Sequence, residues 1–319
     1  MNSLLPCIRQ RKREYYPHLE NETNGTERLI DVEGAFNVRD FGGISLSPTT
    51  ATRHGVIFRS GHLEFLTDTG ETKLSKLGTT AIIDLRTSSE AKLIQKWAYA
   101  NGLSTANKHQ LPPALPFPLS EAFHLDGRFL KYKSEDAMRS QSVARRYFDT
   151  VCSENGRAKM RELLVFMHEH SSEAFILHCS LGKDRTGVVV ALLLALLGAS
   201  DDQIADDFAL SGPGLEPMFA QTMKFIGEYY PNYTESELRE AVVQMLTPNR
   251  QAMLILLQMM REEFGGPMEF FRDGCNVDSS VLLSLKELLT EPRDWDSGRG
   301  LCYASARIKR ILMSLSPRG

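Results

Sequence analysis

Two apolar runs of unequal length flank one polar decapeptide. Ala174 to Cys179 (AFILHC) is short and mostly apolar, as a buried strand is. Gly187 to Gly198 (GVVVALLLALLG) is too long for a strand and predicts a buried helix closed by Gly198. Within the decapeptide His178 to Gly187 (HCSLGKDRTG), Cys179 to Arg185 therefore runs as a tight loop from a strand end into a helix N-terminus. Upstream, Gly55 to Ser60 (GVIFRS) predicts a strand, and Thr67 to Gly78 a helix stopped by Gly78. Thr79 to Arg86 (TTAIIDLR) predicts a second strand, and a helix follows from about Ser89. Asn107 to Gly127 carries four prolines and predicts a long loop. Helices over Ser140 to Cys152 and Arg157 to His170 lead into the strand that ends at Cys179.

After Gly198 the pattern turns helical. Thr234 and Glu237 stand at capping-box spacing before ESELREAVVQML. Thr247 with Pro248 opens NRQAMLILLQMMREEFGG, which Gly265 closes, and Asp278 opens SSVLLSLKELL. Strands alternating with helices, then helices alone, predict an α/β fold: a central sheet flanked by helices, with a helical extension after the helix that follows the decapeptide. One domain over residues 29–290 accounts for this pattern, with no internal repeat. Residues 1–28 are polar and predict a disordered or loosely attached arm. Residues 291–319 form a tail with basic Arg307, Lys309, Arg310 and Arg318; an amphipathic surface helix and an unstructured segment both fit it.

Composition narrows the class. At 319 residues, 42% hydrophobic and 24% charged, with a net charge of −3, the chain is an ordinary globular protein without an electrostatic footprint for nucleic acid. Five scattered cysteines (Cys7, Cys152, Cys179, Cys275, Cys302) are neither a disulfide framework nor a zinc set, and they suit a reducing cytoplasm. The first residues lack the apolar centre of a signal peptide, and Val188 to Ala199 is well short of the roughly 20 residues needed to span a bilayer. Peripheral membrane contact stays open. Asn21-Glu22-Thr23 and Asn24-Gly25-Thr26 match the N-glycosylation pattern, but no secretory signal supports their use.

The decapeptide has the chemistry of an anion cradle. Consecutive backbone N–H groups of Ser180, Leu181, Gly182 and Lys183 at a helix N-terminus attract a phosphate-sized dianion, and Gly182 permits the tight backbone. Arg185 adds a planar fork of donors matched to two phosphate oxygens. Cys179 stands where the helix dipole and that cation favour a thiolate, the nucleophilic form. No metal and no cofactor is needed for such a site to cleave a phosphate ester through a cysteinyl-phosphate. Asp184 stands at the helix start, where an acid is a common capping charge.

The spacing C-x5-R between strand and helix resembles the signature loop of the cysteine-based protein tyrosine phosphatase superfamily. The fuller H-C-x-x-G-K-D-R-T-G resembles a narrower branch, the tyrosine/serine phosphatase family that includes bacterial lipid and tyrosine phosphatases and fungal proteins. FNVRDFGG (Phe36 to Gly43), FRSGHLEFLT (Phe58 to Thr67) and IIDLRTSSE (Ile82 to Glu90) look like further elements of that branch, in order along the chain. The resemblance implies a protein tyrosine phosphatase-like sheet, Cys179 as nucleophile, Arg185 as phosphate clamp, Asp184 as general acid and Lys183 as a contact to a multiply charged substrate. Thr186 would offer its hydroxyl to the sulfur, and His178 would orient the loop. Arg39 and Asp40 either pair with each other or support the site, and Asp84 with Arg86 are supporting candidates at a strand's carboxyl end. Asp126, in a loop, is the rival acid. Residues 199–265, with Met218, Phe219, Met223, Phe225, Tyr229 and Tyr230, form either core or a lid. Expected substrates are phosphotyrosine or phosphoserine proteins or phosphoinositides. The alternatives are a small soluble metabolite phosphate, or a phosphate-binding module without turnover.

Overall fold

The computed structural model describes residues 28–103, 111–119 and 139–293; Asp126, nearly all of the N-terminal arm and most of the C-terminal tail lie outside them. The main sheet has five strands: β1 (Arg39–Asp40), β4 (Ile57–Ser60), β5 (Ala81–Asp84), β6 (Ala114–Pro116) and β7 (Phe175–His178). Their spatial order is β1-β4-β7-β5-β6, with β1 antiparallel to β4 and the other pairs parallel. A small antiparallel sheet joins β2 (Ser45–Ser47), β3 (Thr50–Thr52) and β8 (Thr290–Pro292). Residues 291 and 292, assigned to the tail from sequence, thus belong to β8.

Alternation along the strands builds two cores. Ile57, Ile83, Phe175 and Leu177 face one cluster, while Phe58, Ile82 and Ile176 face another on the opposite side. The second face is covered by Leu74 of α1 (Asp68–Ser75), which Thr67 caps by accepting from the Gly70 amide at 3.1 Å. The first face is covered by α5 (Asp184–Leu197), apolar nearly all round and closed by Gly198 at φ +94°. Around α5 pack α3 (Ser140–Cys152), α4 (Glu154–Glu169), α10 (Arg250–Phe264) and α11 (Ser279–Leu289). A third cluster joins Trp97 of α2 (Ser88–Ala100) to Leu215, Ile226, Leu238 and Val242. These come from α7 (Ser211–Leu215), α8 (Phe219–Tyr229) and α9 (Glu235–Leu246), reached from α5 through α6 (Asp201–Ala209).

Several boundaries differ from the sequence pattern. The Pro-rich loop contains β6, because the Ile82 amide donates to Pro113 O and the Phe117 amide to Asp84 O, at 3.0 and 2.8 Å. Prolines are tolerated there because β6 is an edge strand. Helix α4 starts at Glu154 rather than Arg157, since Ser153 accepts from the Gly156 amide at 3.0 Å. Thr247 does not open α10. Its hydroxyl donates back to Val243 O at 2.8 Å, and Asn249 is the cap, accepting from the Ala252 amide at 2.9 Å. Substituting Asn249 by Ala is expected to lower the unfolding free energy by about 1 kcal/mol in urea titration. Unchanged stability would show that the cap bond contributes nothing.

Candidate active site

Strand β7 is central, and it ends with His178 between Ser60 of β4 and Asp84 of β5. The carboxyl ends of three parallel strands therefore converge beneath the next residue, Cys179, which is 2% exposed. Residues 179–183 make the turn before α5 begins at Asp184. Gly182 holds φ +63°, and a Cβ there would lie 2.2 Å from Ser60 O, so the loop crest lies on the β4 backbone. Three loop carbonyls are engaged by outside donors. Ser180 O accepts from the His62 amide at 3.0 Å, Leu181 O from Asn37 Nδ2 at 3.0 Å and Gly182 O from Arg59 Nη2 at 2.8 Å.

Arg185 is buried and held in a forked pair. Its Nη1 and Nη2 donate to the two Glu90 oxygens at 2.8 and 2.6 Å, and Nη1 also donates to Leu85 O at 3.2 Å. Burial works against its charge, but Glu90 foremost, together with Cys179 and Asp184, outweighs this and raises its pKa above the ordinary arginine value. The Ser180 hydroxyl donates to Glu90 as well. Glu90 stands in the quoted IIDLRTSSE stretch, yet nothing in its local pattern announces a partner 95 positions away. The Thr186 hydroxyl is buried and has no hydrogen-bond partner among the described residues. It is available to a group that enters the loop.

Lys183 is directed elsewhere than its place in the motif suggests. Its ammonium is buried and donates to Met245 O and to Thr247 O, the latter at 3.2 Å, at the C-terminal end of α9. Cations are favourable at that end of a helix. Burial lowers its pKa, with Asp184 acting in the opposite direction. Asp184 accepts from the Tyr147 hydroxyl at 2.5 Å and lies 3.8 Å from Lys183 Nζ.

The supporting candidates divide into two networks. Asp84 accepts from Arg86 Nε at 2.9 Å and Nη2 at 2.8 Å, and Arg86 also pairs with Glu64 at 2.8 Å. Glu64 lies 3.2 Å from His62 Nδ1. His178 Nε2 is 3.6 Å from Asp84, and its Nδ1 faces Cys179 O at 3.3 Å. Burial pushes the His178 pKa down to about 4 despite Asp84, so the ring is neutral at neutral pH. Arg39 and Asp40 do not pair with each other. Asp40 accepts from the Gly42 and Gly55 amides at 2.8 and 2.9 Å, bracing the turn behind β1. Arg39 turns to Asp207 of α6, as do Arg28 and Arg59. Burial pushes the Asp207 carboxyl up, but the three arginines hold it well below the usual carboxylate range. Burial lowers the Arg39 pKa to about 9. Neither Glu90 nor Asp207 is singled out by the sequence.

Among the described residues no group of three or more His, Cys, Asp or Glu is arranged to hold a metal ion, and no helix is long and apolar enough to cross a membrane. Cys152 and Cys275 are free thiols whose pKa burial raises to about 12.

Residues 30–291 match the tyrosine phosphatase family, and the chain belongs to it. It is a cysteine-based, protein-tyrosine-phosphatase-type hydrolase with a protein tyrosine phosphatase-like fold. It is 27% identical to the triple specificity protein phosphatase PtpB of Mycobacterium tuberculosis over 232 residues, which is 67% of this chain and 78% of that protein. It is 22% identical over 178 residues to the putative tyrosine-protein phosphatase H16_A0669 of Cupriavidus necator, covering 54% of this chain and 59% of the relative.

The depressed His178 gives a pH signature. The unfolded chain protonates this imidazole near pH 6.5 and the folded one only near 4, so the unfolded state binds the extra proton between those values. Stability is therefore expected to fall as pH drops through that window, by up to about 1.4 kcal/mol per pH unit. Urea titrations at pH 6.5, 5.5 and 4.5 should show a shallower slope for His178→Gln than for the parent. Equal slopes would contradict the assignment.

Proposed function

We propose that the chain hydrolyses phosphomonoesters on protein tyrosine and serine or threonine side chains, through a cysteinyl-phosphate. The observation that carries this reading is the Arg185–Glu90 fork, held in the first turn of α5 directly after the short loop that begins with the buried Cys179. A guanidinium fixed in this way presents a preorganised charge to the oxygens of a transferring phosphoryl group, and the loop amides add to it.

In the first step the Cys179 sulfur attacks phosphorus. A P–S bond forms, the P–O ester bond breaks, and the departing oxygen takes a proton from the Asp184 carboxylic acid. In the second step Asp184, now a carboxylate, accepts a proton from water. That water attacks phosphorus, the P–S bond breaks, and the sulfur leaves as thiolate with the Thr186 hydroxyl as donor. Tyr147 holds Asp184 at the loop, which supports this residue over Asp126 as the acid. The name of the Mycobacterium relative supports a range wider than phosphotyrosine alone. The Lys183 ammonium is occupied by α9 carbonyls, which favours singly phosphorylated side chains over a multiply charged inositol headgroup. Three free cysteines among the described residues suit a cytoplasmic setting.

Phosphate release with chelator and reductant present tests the reading. The panel holds p-nitrophenyl phosphate, phosphotyrosine and phosphoserine peptides, phosphoinositides and small metabolite phosphates. Turnover that survives chelator and disappears in Cys179→Ser is expected, with the peptides ranked first. A ranking led by phosphoinositides or metabolites would overturn the substrate assignment, and ordinary activity in Cys179→Ser the covalent mechanism. Asp184→Asn is expected to slow release of poor leaving groups by about 10²–10⁴-fold, and p-nitrophenol far less. Equal loss on both would return Asp184 to a structural role.

A further inference from the structure

A trans peptide unit points its carbonyl and its amide in opposite directions, and every described peptide here is trans. In the signature loop the carbonyls of Ser180, Leu181 and Gly182 are all held from outside, by the His62 amide, Asn37 Nδ2 and Arg59 Nη2. The amides sharing those peptide planes belong to Leu181, Gly182 and Lys183. Each is turned away from the donor that holds its carbonyl. Amides freed in succession at the start of α5 are what an oxyanion cradle consists of.

Two of the three ties lead back to one residue, Asp207. Asp207 Oδ2 accepts from Arg59 Nη1 at 2.7 Å, leaving Nη2 of the same guanidinium for Gly182 O. Arg39 donates from Nη2 to Asp207 O at 2.8 Å, with its Nε 3.4 Å from Oδ1. Its Nη1 donates to Asn37 Oδ1. With Oδ1 facing a guanidinium, the Asn37 amide has one orientation, and Nδ2 falls to Leu181 O at 3.0 Å. Asp207 is 3% exposed, Arg39 and Arg59 are both 0% exposed, and Asn37 is buried. Water therefore does not substitute readily for any link.

We infer that Asp207, a residue of the helical extension, is the positioning residue of the signature loop: through Arg59 it sets the Gly182 carbonyl, and through Arg39 and Asn37 it sets the Leu181 carbonyl, so that the loop amides face the bound oxyanion. The inference rests on the phosphatase reading of this site. Asp207 touches neither substrate nor reacting atoms; it acts by fixing where two peptide planes point.

Tungstate, a phosphate-like oxyanion, is the probe, measured by calorimetry on the full chain beside kcat and KM for p-nitrophenyl phosphate. Asp207→Asn removes the charge that both arginines answer. In folded protein it is expected to raise the tungstate Kd by about tenfold or more and to lower kcat/KM at least as far. A residue serving only stability would lower the melting temperature and leave the Kd of the folded fraction unmoved. Because Asp207→Asn leaves three arginines without their acid, Asn37→Gly is the second variant. Glycine readily takes the φ of +57° that Asn37 holds, so the backbone keeps its course while the tie to Leu181 is lost. It is expected to weaken tungstate binding about three- to tenfold. A folded Asp207→Asn with the parent's Kd and kcat/KM overturns the inference, as does Asn37→Gly with parental values where Asp207→Asn does not fold. A parent that binds no tungstate overturns the phosphatase reading and this inference with it. A parent that binds it, with variants that bind it equally, overturns the inference alone.

Discussion

A guanidinium taken out of water needs a carboxylate or carbonyls to replace that water, or its burial is prohibitively costly. Arg39, Arg59, Arg86 and Arg185 are 0, 0, 5 and 4% exposed, and all four lie at or beside the carboxyl ends of the strands or the loop they support. Each meets an acid from another part of the chain. Arg185 meets Glu90, Arg86 meets Glu64 and Asp84, and Arg39 with Arg59 meets Asp207. The pairing dictates where helices α2 and α6 must begin and end relative to β7, because their acids have to arrive at the arginines. The concentration of positive charge that an anion site needs is thereby made compatible with a dry interior.

The same constraint makes the helical extension part of the site. Helix α6 supplies Asp207 to two strand arginines, and the C-terminal carbonyls of α9 receive the Lys183 ammonium. Leu181, at the crest of the loop, packs against the apolar cluster formed by α2, α8 and α9. Met218 and Ile226 lie inside that cluster, with Phe219, Met223 and Phe225 packed against it. Tyr230 packs against the same cluster, so these residues serve as core beside the loop, whereas Tyr229 is exposed.

What the amino-acid pattern carries is mostly local. The strand before the loop, the helix closed by Gly198 and the capping box of Thr234 and Glu237 are set by neighbours within a few positions. The helix stop and the cap stand where the pattern places them, while the strand ends at His178 rather than Cys179 and the helix begins at Asp184 rather than Gly187. Cys179 and Arg185 are legible for the same reason, as one loop joins them. The partners that hold the loop are not legible. Glu90 lies 95 positions from Arg185, and Asp207 lies 148 and 168 positions from Arg59 and Arg39. An isolated Glu in a helix start or Asp in a helix end reads as a solvated charge until the fold brings its cation to it. Lys183 shows the converse. Its position in the motif suggests an outward charge, and only the arrival of α9 turns it inward. Strand β6 was hidden by its prolines, whose effect depends on being at a sheet edge.

The held carbonyls of the loop bear on how such a site can change hands in evolution. The decapeptide looks self-contained, a short cassette between a strand and a helix. Its shape, however, is written at Asn37, at His62 and Arg59, and in a helix beyond the loop's own. Transplanted into another strand–turn–helix, the same ten residues would keep their side chains and lose the orientation of their backbone. Moving this chemistry to another scaffold therefore requires the whole unit from residue 37 to residue 207 and not the decapeptide alone.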